Sequence, residues 1–139
     1  MSYDENTLFG RYKNNSMIKF LGGTVAIFLF GYLGTFFGWW GIVLVATIVG
    51  FAIQINGGLS FLSGLLGGAL FFGVYTYLLD SANGGQLSGM MGEVLKFNPF
   101  WPTVAIGGLL AGLGMITGKY ARDAFLGVES KPKYRGRYR

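Results

Sequence analysis

The chain contains no cysteine and no histidine, and only 12% of its 139 residues are charged. The absence of cysteine excludes disulfides, thiol nucleophiles and thiolate metal sites. The absence of histidine removes the usual general base and a common ligand of zinc and haem. We therefore expect no catalytic residue, no metal site and no cofactor, and we interpret the protein as a non-enzyme.

Charge is missing altogether from residues 20–79 and again from residues 98–118. A soluble domain needs charged surface at short intervals, whereas a helix that crosses a bilayer needs about 20 consecutive apolar residues. The first run is long enough for three such helices and the second for a fourth. The sequence therefore predicts an all-α integral membrane protein, multi-pass, built as a four-helix transmembrane bundle.

Turn signals divide this predicted membrane domain, residues 17–118, into its spans. Asn56, Gly57 and Gly58 form one such signal, because glycine adopts positive φ at little cost. The predicted spans are 17–37, 39–55, 59–79 and 100–118, flanked by a polar N-terminal segment, 1–16, and a basic tail, 119–139. Span 2 is the shortest, and as a re-entrant hairpin it would leave three spans and separate the two chain ends.

Between spans 3 and 4 the sequence has an amphipathic pattern. Its apolar residues follow the i, i+3, i+4, i+7, i+8 spacing of one helix face: Leu87, Met90, Met91, Val94 and Leu95. The segment is too short and too polar to span a bilayer. We expect a short helix that lies in the membrane interface.

The basic residues lie almost entirely at the two ends of the chain. Ten of the eleven precede residue 20 or follow residue 118, and Lys96 is the exception. The positive-inside rule therefore places both ends on the cytoplasmic or equivalent side of the membrane. Two ends on one side require an even number of spans, which favours four over three.

Small residues form stripes along three of the predicted spans. The stripe positions are Gly31, Gly34 and Gly38; Gly64 and Gly68; and Gly107, Ala111, Gly114 and Gly118. Small residues let helix backbones approach closely, which is a main source of packing energy in lipid. We expect these stripes to hold the four helices together; in the alternative, one stripe faces outward and docks a partner subunit or a second copy.

Polar residues inside the predicted spans are few and uncharged. For serine and threonine, including Ser60 and Ser63, we expect hydrogen bonds to carbonyls of their own helix. The lack of an intramembrane acid or base argues against a proton-coupled transporter or an ion pump. Asp80 and Glu93 are the only acids between the terminal segments, and we expect both to be solvated in loop or interface positions.

The C-terminal tail is strongly basic, with Lys131, Lys133, Arg135, Arg137 and Arg139 within nine residues. Beside a membrane each such residue attracts anionic lipid by about 1 kcal/mol. The simplest interpretation is a topology signal with loose lipid contact; the alternative is docking to an acidic partner surface. Base stacking by the interleaved tyrosines is chemically feasible, but we do not expect a nucleic acid partner.

These features favour a structural or accessory subunit of a larger membrane protein complex, which packs through its glycine-rich helix faces. The alternative is a small carrier or channel for a neutral or lipophilic cargo. A membrane-embedded enzyme that uses Asp80 or Glu93 is the third and weakest hypothesis.

Overall fold

The computed structural model describes residues 5–127, and this part of the chain is all-helical. It forms five α-helices, α1 Glu5–Gly34, α2 Gly41–Ala52, α3 Gly57–Ala82, α4 Gln86–Leu95 and α5 Phe100–Leu126, with a 3₁₀ segment, Thr35–Trp40, between α1 and α2. The predicted all-α class is thus confirmed for the described residues.

Three helical segments are long and apolar enough to cross a membrane, as expected of a multi-pass membrane protein: Asn15–Gly38, Gly57–Ala82 and Phe100–Leu126. The predicted second span is shorter than expected, because α2 has only 12 residues. At 1.5 Å per residue α2 measures about 18 Å, less than the hydrocarbon core of about 30 Å. The helix ends where the backbone becomes extended at Ile53.

The long helices also run past their predicted boundaries. α1 begins at Glu5 and so includes most of the predicted polar segment, while α5 continues beyond Gly118 through Lys119 and Arg122. The predicted boundaries followed the edge of the apolar runs, but helical hydrogen bonding continues through polar residues as well. α5 ends only at Gly127, which has a φ of +59°, a conformation typical of a helix C-terminus.

The directions of the helices follow from the residues that pack together. Where α1 contacts α3, the residue numbers of the two helices rise in the same direction: Gly23 meets Ser63, Ile27 meets Gly67, and Gly31 meets Phe71. These two helices are therefore parallel. Along α3 and α5 the numbers run in opposite directions, Gly64 with Gly112 and Gly68 with Gly108, so that this pair is antiparallel.

The 3₁₀ segment and α2 return the chain along α1. Gly34 packs against Gly41, and Ile53 lies near Gly23. As a result, the part of α1 before Phe20 and the part of α5 after Gly118 lie at one end of the bundle, here called the basic end. The opposite end, here called the loop end, carries the Thr35–Trp40 segment and α4.

The interior of the bundle combines small residues with a few large apolar side chains, while many other large apolar side chains face outward. Ile27, Ala46, Ala111 and Met115 are fully buried, and Gly64, Gly67 and Gly68 of α3 and all the glycines of α5 are buried as well. Leucine, isoleucine and phenylalanine side chains are exposed along all three long helices. Such a surface suits hydrocarbon rather than water as its solvent.

A helix does form at the predicted amphipathic segment, since α4 spans Gln86–Leu95. No residue of α4 is buried, and its apolar face stays uncovered by the described chain, with Leu87 61% and Val94 82% exposed. Its position at a membrane surface remains a prediction.

Candidate functional site

At the centre of the bundle, α3 and α5 approach each other through backbone atoms. A Cβ added to Gly64 would lie 2.7 Å from the carbonyl oxygen of Ala111, and one added to Gly68 would lie 2.5 Å from the Ala111 Cβ. Real Cβ atoms do not come this close to such neighbours. Only glycine therefore fits at these two positions while the helices keep their separation.

The same kind of contact joins α2 to α5. A Cβ on Gly114 would lie 2.9 Å from the carbonyl oxygen of Val43, and one on Gly118 would lie 2.8 Å from the backbone nitrogen of Phe51. The opposing glycine on α2 is Gly50, which packs on the backbone of Met115. Sequence reasoning missed Gly50 because it belongs to no stripe on α2.

The remaining stripe positions lie on α1 and at the loop end of α5. Gly31 faces the ring of Phe71, with 2.9 Å from an added Cβ to Cγ. Gly107 packs in the same way against the ring of Phe72. Gly38 differs from the others: no atom lies within 4 Å of an added Cβ, and its φ of +71° with ψ of −153° is a conformation that favours glycine. Gly38 thus serves the turn between α1 and α2.

Two serines form hydrogen bonds between helices, contrary to the prediction that such residues bond within their own helix. Ser63 Oγ of α3 donates to the carbonyl oxygen of Phe20 in α1 at 3.0 Å and lies 3.2 Å from Thr24 Oγ1. Ser60 Oγ donates to the carbonyl oxygen of Met115 in α5 at 3.4 Å. The expectation was wrong because the small neighbouring residues bring foreign carbonyls within reach of these hydroxyls.

The threonines follow the prediction more closely. Thr47, Thr103 and Thr117 each donate to the carbonyl oxygen four residues earlier, at 2.7, 2.9 and 2.8 Å. Their hydroxyls are thus satisfied locally.

At the loop end α3, α4 and α5 line a cleft of about 560 Å³ that is open on one side. Its walls are the last turns of α3, the inner side of α4 and the first turn of α5. On α3, Phe72, Thr76 and Asp80 line it at intervals of four residues, so that one helix face runs down the length of the cleft. Phe72 rests on Gly107 at the deep end, and Leu87, Ser88 and Met91 of α4 lie on the opposite side.

An aromatic cluster stands beside the cleft. The Tyr75 ring stacks on Phe71 with 5.6 Å between centroids and meets Tyr32 edge to face at 6.3 Å. Phe72 and Tyr75 also line a smaller cavity of about 250 Å³ on the α1 side. These two residues form the wall between the cavities.

Asp80 is the single charged residue that lines the cleft. Within residues 15–127 the one ion pair joins Lys119 to Asp123, at the basic end of the bundle. Three other polar residues of the cleft are engaged locally: Ser88 Oγ donates to the Gly85 carbonyl, Thr103 Oγ1 to the Pro99 carbonyl, and Asn98 Oδ1 accepts from the Phe100 backbone. The Asp80 carboxylate has no counter-charge from the described part of the chain.

For Asp80 we expected a solvated loop or interface position; it lies within α3, which continues to Ala82, and is half-buried there. The spacing of four residues between Phe72, Thr76 and Asp80 is the sequence feature that indicates a shared helix face for these three side chains. Glu93 does lie exposed on α4, as expected, outside the cleft. The basic tail residues Lys131, Lys133, Arg135, Arg137 and Arg139 lie outside the described residues.

Comparison of the chain with protein-family models, with curated proteins and with solved structures gives no match.

Proposed function

We propose that the protein is a non-catalytic structural or accessory subunit of a larger membrane protein complex. The observation that carries this proposal is the closure of the bundle interior by glycine–backbone contacts, as between Gly64 and Ala111. A bundle held this tightly is suited to keeping its shape inside an assembly. The broad apolar outer surface is then available to partner helices as well as to lipid.

The proposed topology is four-span, with both chain ends on the cytoplasmic or equivalent side. The parallel direction of α1 and α3 supports it, because the chain must return between them. Lys19 and Lys119 then lie on the same side, in agreement with the positive-inside rule.

Single cysteines introduced at Ser2, Ser88 and Ser130 test this topology by labelling with an impermeant thiol reagent. We expect the Ser2 and Ser130 positions to be labelled from one side of the membrane and the Ser88 position from the other. Opposite accessibility of Ser2 and Ser130 would rule out an even number of spans.

Purification in mild detergent, followed by mass spectrometry of every retained polypeptide, tests the subunit proposal. An accessory subunit co-purifies in fixed stoichiometry with larger membrane proteins. The Gly22→Leu variant is a useful probe, since Gly22 on α1 has open space around it within the chain. Unchanged bundle stability with loss of a co-purifying protein would assign that face of α1 to the partner.

A second candidate, a carrier for a neutral or lipophilic cargo, is supported by the cleft at the loop end. Such a carrier is expected to be stable alone or as a homo-oligomer in mild detergent. Transport across the membrane would require the glycine contacts below Phe72 to open. Transport of a lipophilic cargo into liposomes that contain the purified protein alone would favour this second candidate over the subunit.

For the basic tail we propose loose contact with anionic lipid at the membrane surface. Its charge supports this proposal, with five basic residues between 131 and 139 and no acid among them.

A further inference from the structure

The cleft at the loop end is lined by one charged group, Asp80, and by mostly apolar and aromatic side chains. Asp80 is preceded on the same face of α3 by Thr76 and Phe72. Eight residues of helix separate Phe72 from Asp80, or about 12 Å at 1.5 Å per residue. The cleft therefore changes along its length from an anionic end to an aromatic end.

The position of Asp80 along α3 places it near a bilayer surface. It follows the start of α3 at Gly57 by 23 residues, which corresponds to about 35 Å of helix. A hydrocarbon core is about 30 Å thick. When Gly57 lies at one edge of the core, the Asp80 carboxylate lies at head-group level on the other side, and Phe72 lies among the acyl chains.

The dimensions and composition of the cleft suit a small amphiphile. Pockets for small molecules measure about 300–1,000 Å³ and combine apolar walls with a few polar groups, and this cleft measures about 560 Å³. Tyr77 and Phe100 contribute aromatic rings to it. Aromatic faces attract ammonium groups, and a carboxylate that lacks a counter-charge attracts them as well.

We propose that this cleft binds an amphiphile with an ammonium head group, the head beside Asp80 and the apolar tail along Thr76 toward Phe72. The carboxylate disfavours anionic heads, and the apolar wall below it disfavours small hydrophilic amines. This chemistry belongs both to membrane lipids with choline or ethanolamine heads and to free amphiphilic amines. The proposal is independent of whether the protein is a subunit or a carrier.

The test uses the full chain in nanodiscs made of phosphatidylglycerol alone. The probe is an alkyltrimethylammonium compound with a photoreactive diazirine in its chain, displaced by unlabelled dodecyltrimethylammonium. We expect crosslinks on residues that line the cleft, mapped by mass spectrometry. The Asp80→Asn variant is expected to bind the competitor about tenfold more weakly, as for loss of a partly buried charge-assisted contact.

Glu93→Gln is the matched control, since it removes the same charge from α4 outside the cleft, and it is expected to leave the affinity unchanged. A probe with the same diazirine tail and a sulfate head needs no variant and should not crosslink in the cleft of the unmodified protein. Equal affinities for Asp80→Asn and Glu93→Gln, or equal crosslinking by the sulfate probe, would overturn the proposal.

Phosphatidylethanolamine added to the nanodiscs distinguishes a membrane lipid from a free amphiphilic amine as the natural ligand of the cleft. Competition by this lipid assigns the cleft to a membrane lipid, while competition by dodecyltrimethylammonium alone assigns it to free amphiphilic amines. If neither compound displaces the probe, the cleft has no ammonium site.

Discussion

The helices α3 and α5 run side by side through the whole bundle, but their contact differs between its centre and its loop end. At the centre, Gly64 and Gly68 bring the two backbones together. At the loop end, the larger Phe72 and Phe100 lie at the same interface and line the cleft that α4 also borders. Gly73 lies in this region, and a Cβ added to it would lie 3.8 Å from Val104 Cγ2, an ordinary van der Waals contact.

The two regions differ in the size of the side chains at the interface, and small side chains let two helix backbones approach closely. Without a hydrophobic driving force between helices, close packing itself stabilises the bundle. The glycine half is therefore expected to carry most of the stability. The aromatic half leaves space for a ligand, and α4 covers that space on one side only.

The largest expected effect is that of Gly68→Leu, which places a branched side chain against Ala111. Overpacking of this kind commonly costs 1–3 kcal/mol and occasionally more, so we expect a loss of about 3 kcal/mol in the free energy of unfolding. Thermal unfolding in detergent measures it. Gly22→Leu, on the open surface of α1, is the matched control. Equal unfolding midpoints for the two variants would show that the glycine contact does not hold α3 to α5.

A smaller effect is expected from Gly107→Ala, at the boundary between the two halves. The new methyl group would lie 2.7 Å from Phe72 Cε2, so that the ring must shift. We expect a loss of about 1–2 kcal/mol in unfolding free energy and weaker crosslinking in the cleft. Gly73→Ala, which has room for the methyl group, should change neither. If the two variants behave identically, the packing of Phe72 on Gly107 does not determine the shape of the cleft.

Hydrogen bonds should contribute less than glycine packing to the closed half of the bundle. Ser63→Ala removes the bond to the Phe20 carbonyl, and interhelical bonds of this kind average about 0.6 kcal/mol. We expect a loss of that size, measured by unfolding in detergent. The control is Thr117→Val, whose hydroxyl bonds only within α5. A loss as large as that of Gly68→Leu would make the serine, rather than close backbone approach, the dominant contact.

The smallest effect on the bundle is expected from removal of residues 131–139, the basic part of the C-terminal tail. Unfolding of the membrane domain should not change, while retention of anionic lipid should fall. This attraction should fade with salt, since the Debye length shrinks from about 10 Å at 0.1 M to 3 Å at 1 M. Lipid analysis after purification at both salt concentrations measures it. If lipid retention does not change, the tail acts only as a topology signal.

Several features of the protein could be predicted from the sequence because they depend on composition and short-range spacing. Long runs without charge predict apolar helices, and these form as α1, α3 and α5. The i, i+3, i+4 pattern predicts a helix at Leu87–Leu95, and α4 forms there. The helix ends were less accurate, since the edge of an apolar run is not where helical hydrogen bonding stops.

The helical class and the segments apolar enough for a membrane can be derived from the sequence, because they follow from the side chains of each segment alone. The packed bundle is needed to show which glycines meet which backbone, that Ser60 and Ser63 bond across helices, and that Asp80 lies in a cleft. Each of these depends on a neighbour more than 30 residues away in the chain or on a third helix. Periodicity along one helix states which residues share a face, whereas the partner of that face is set by how all the helices pack together.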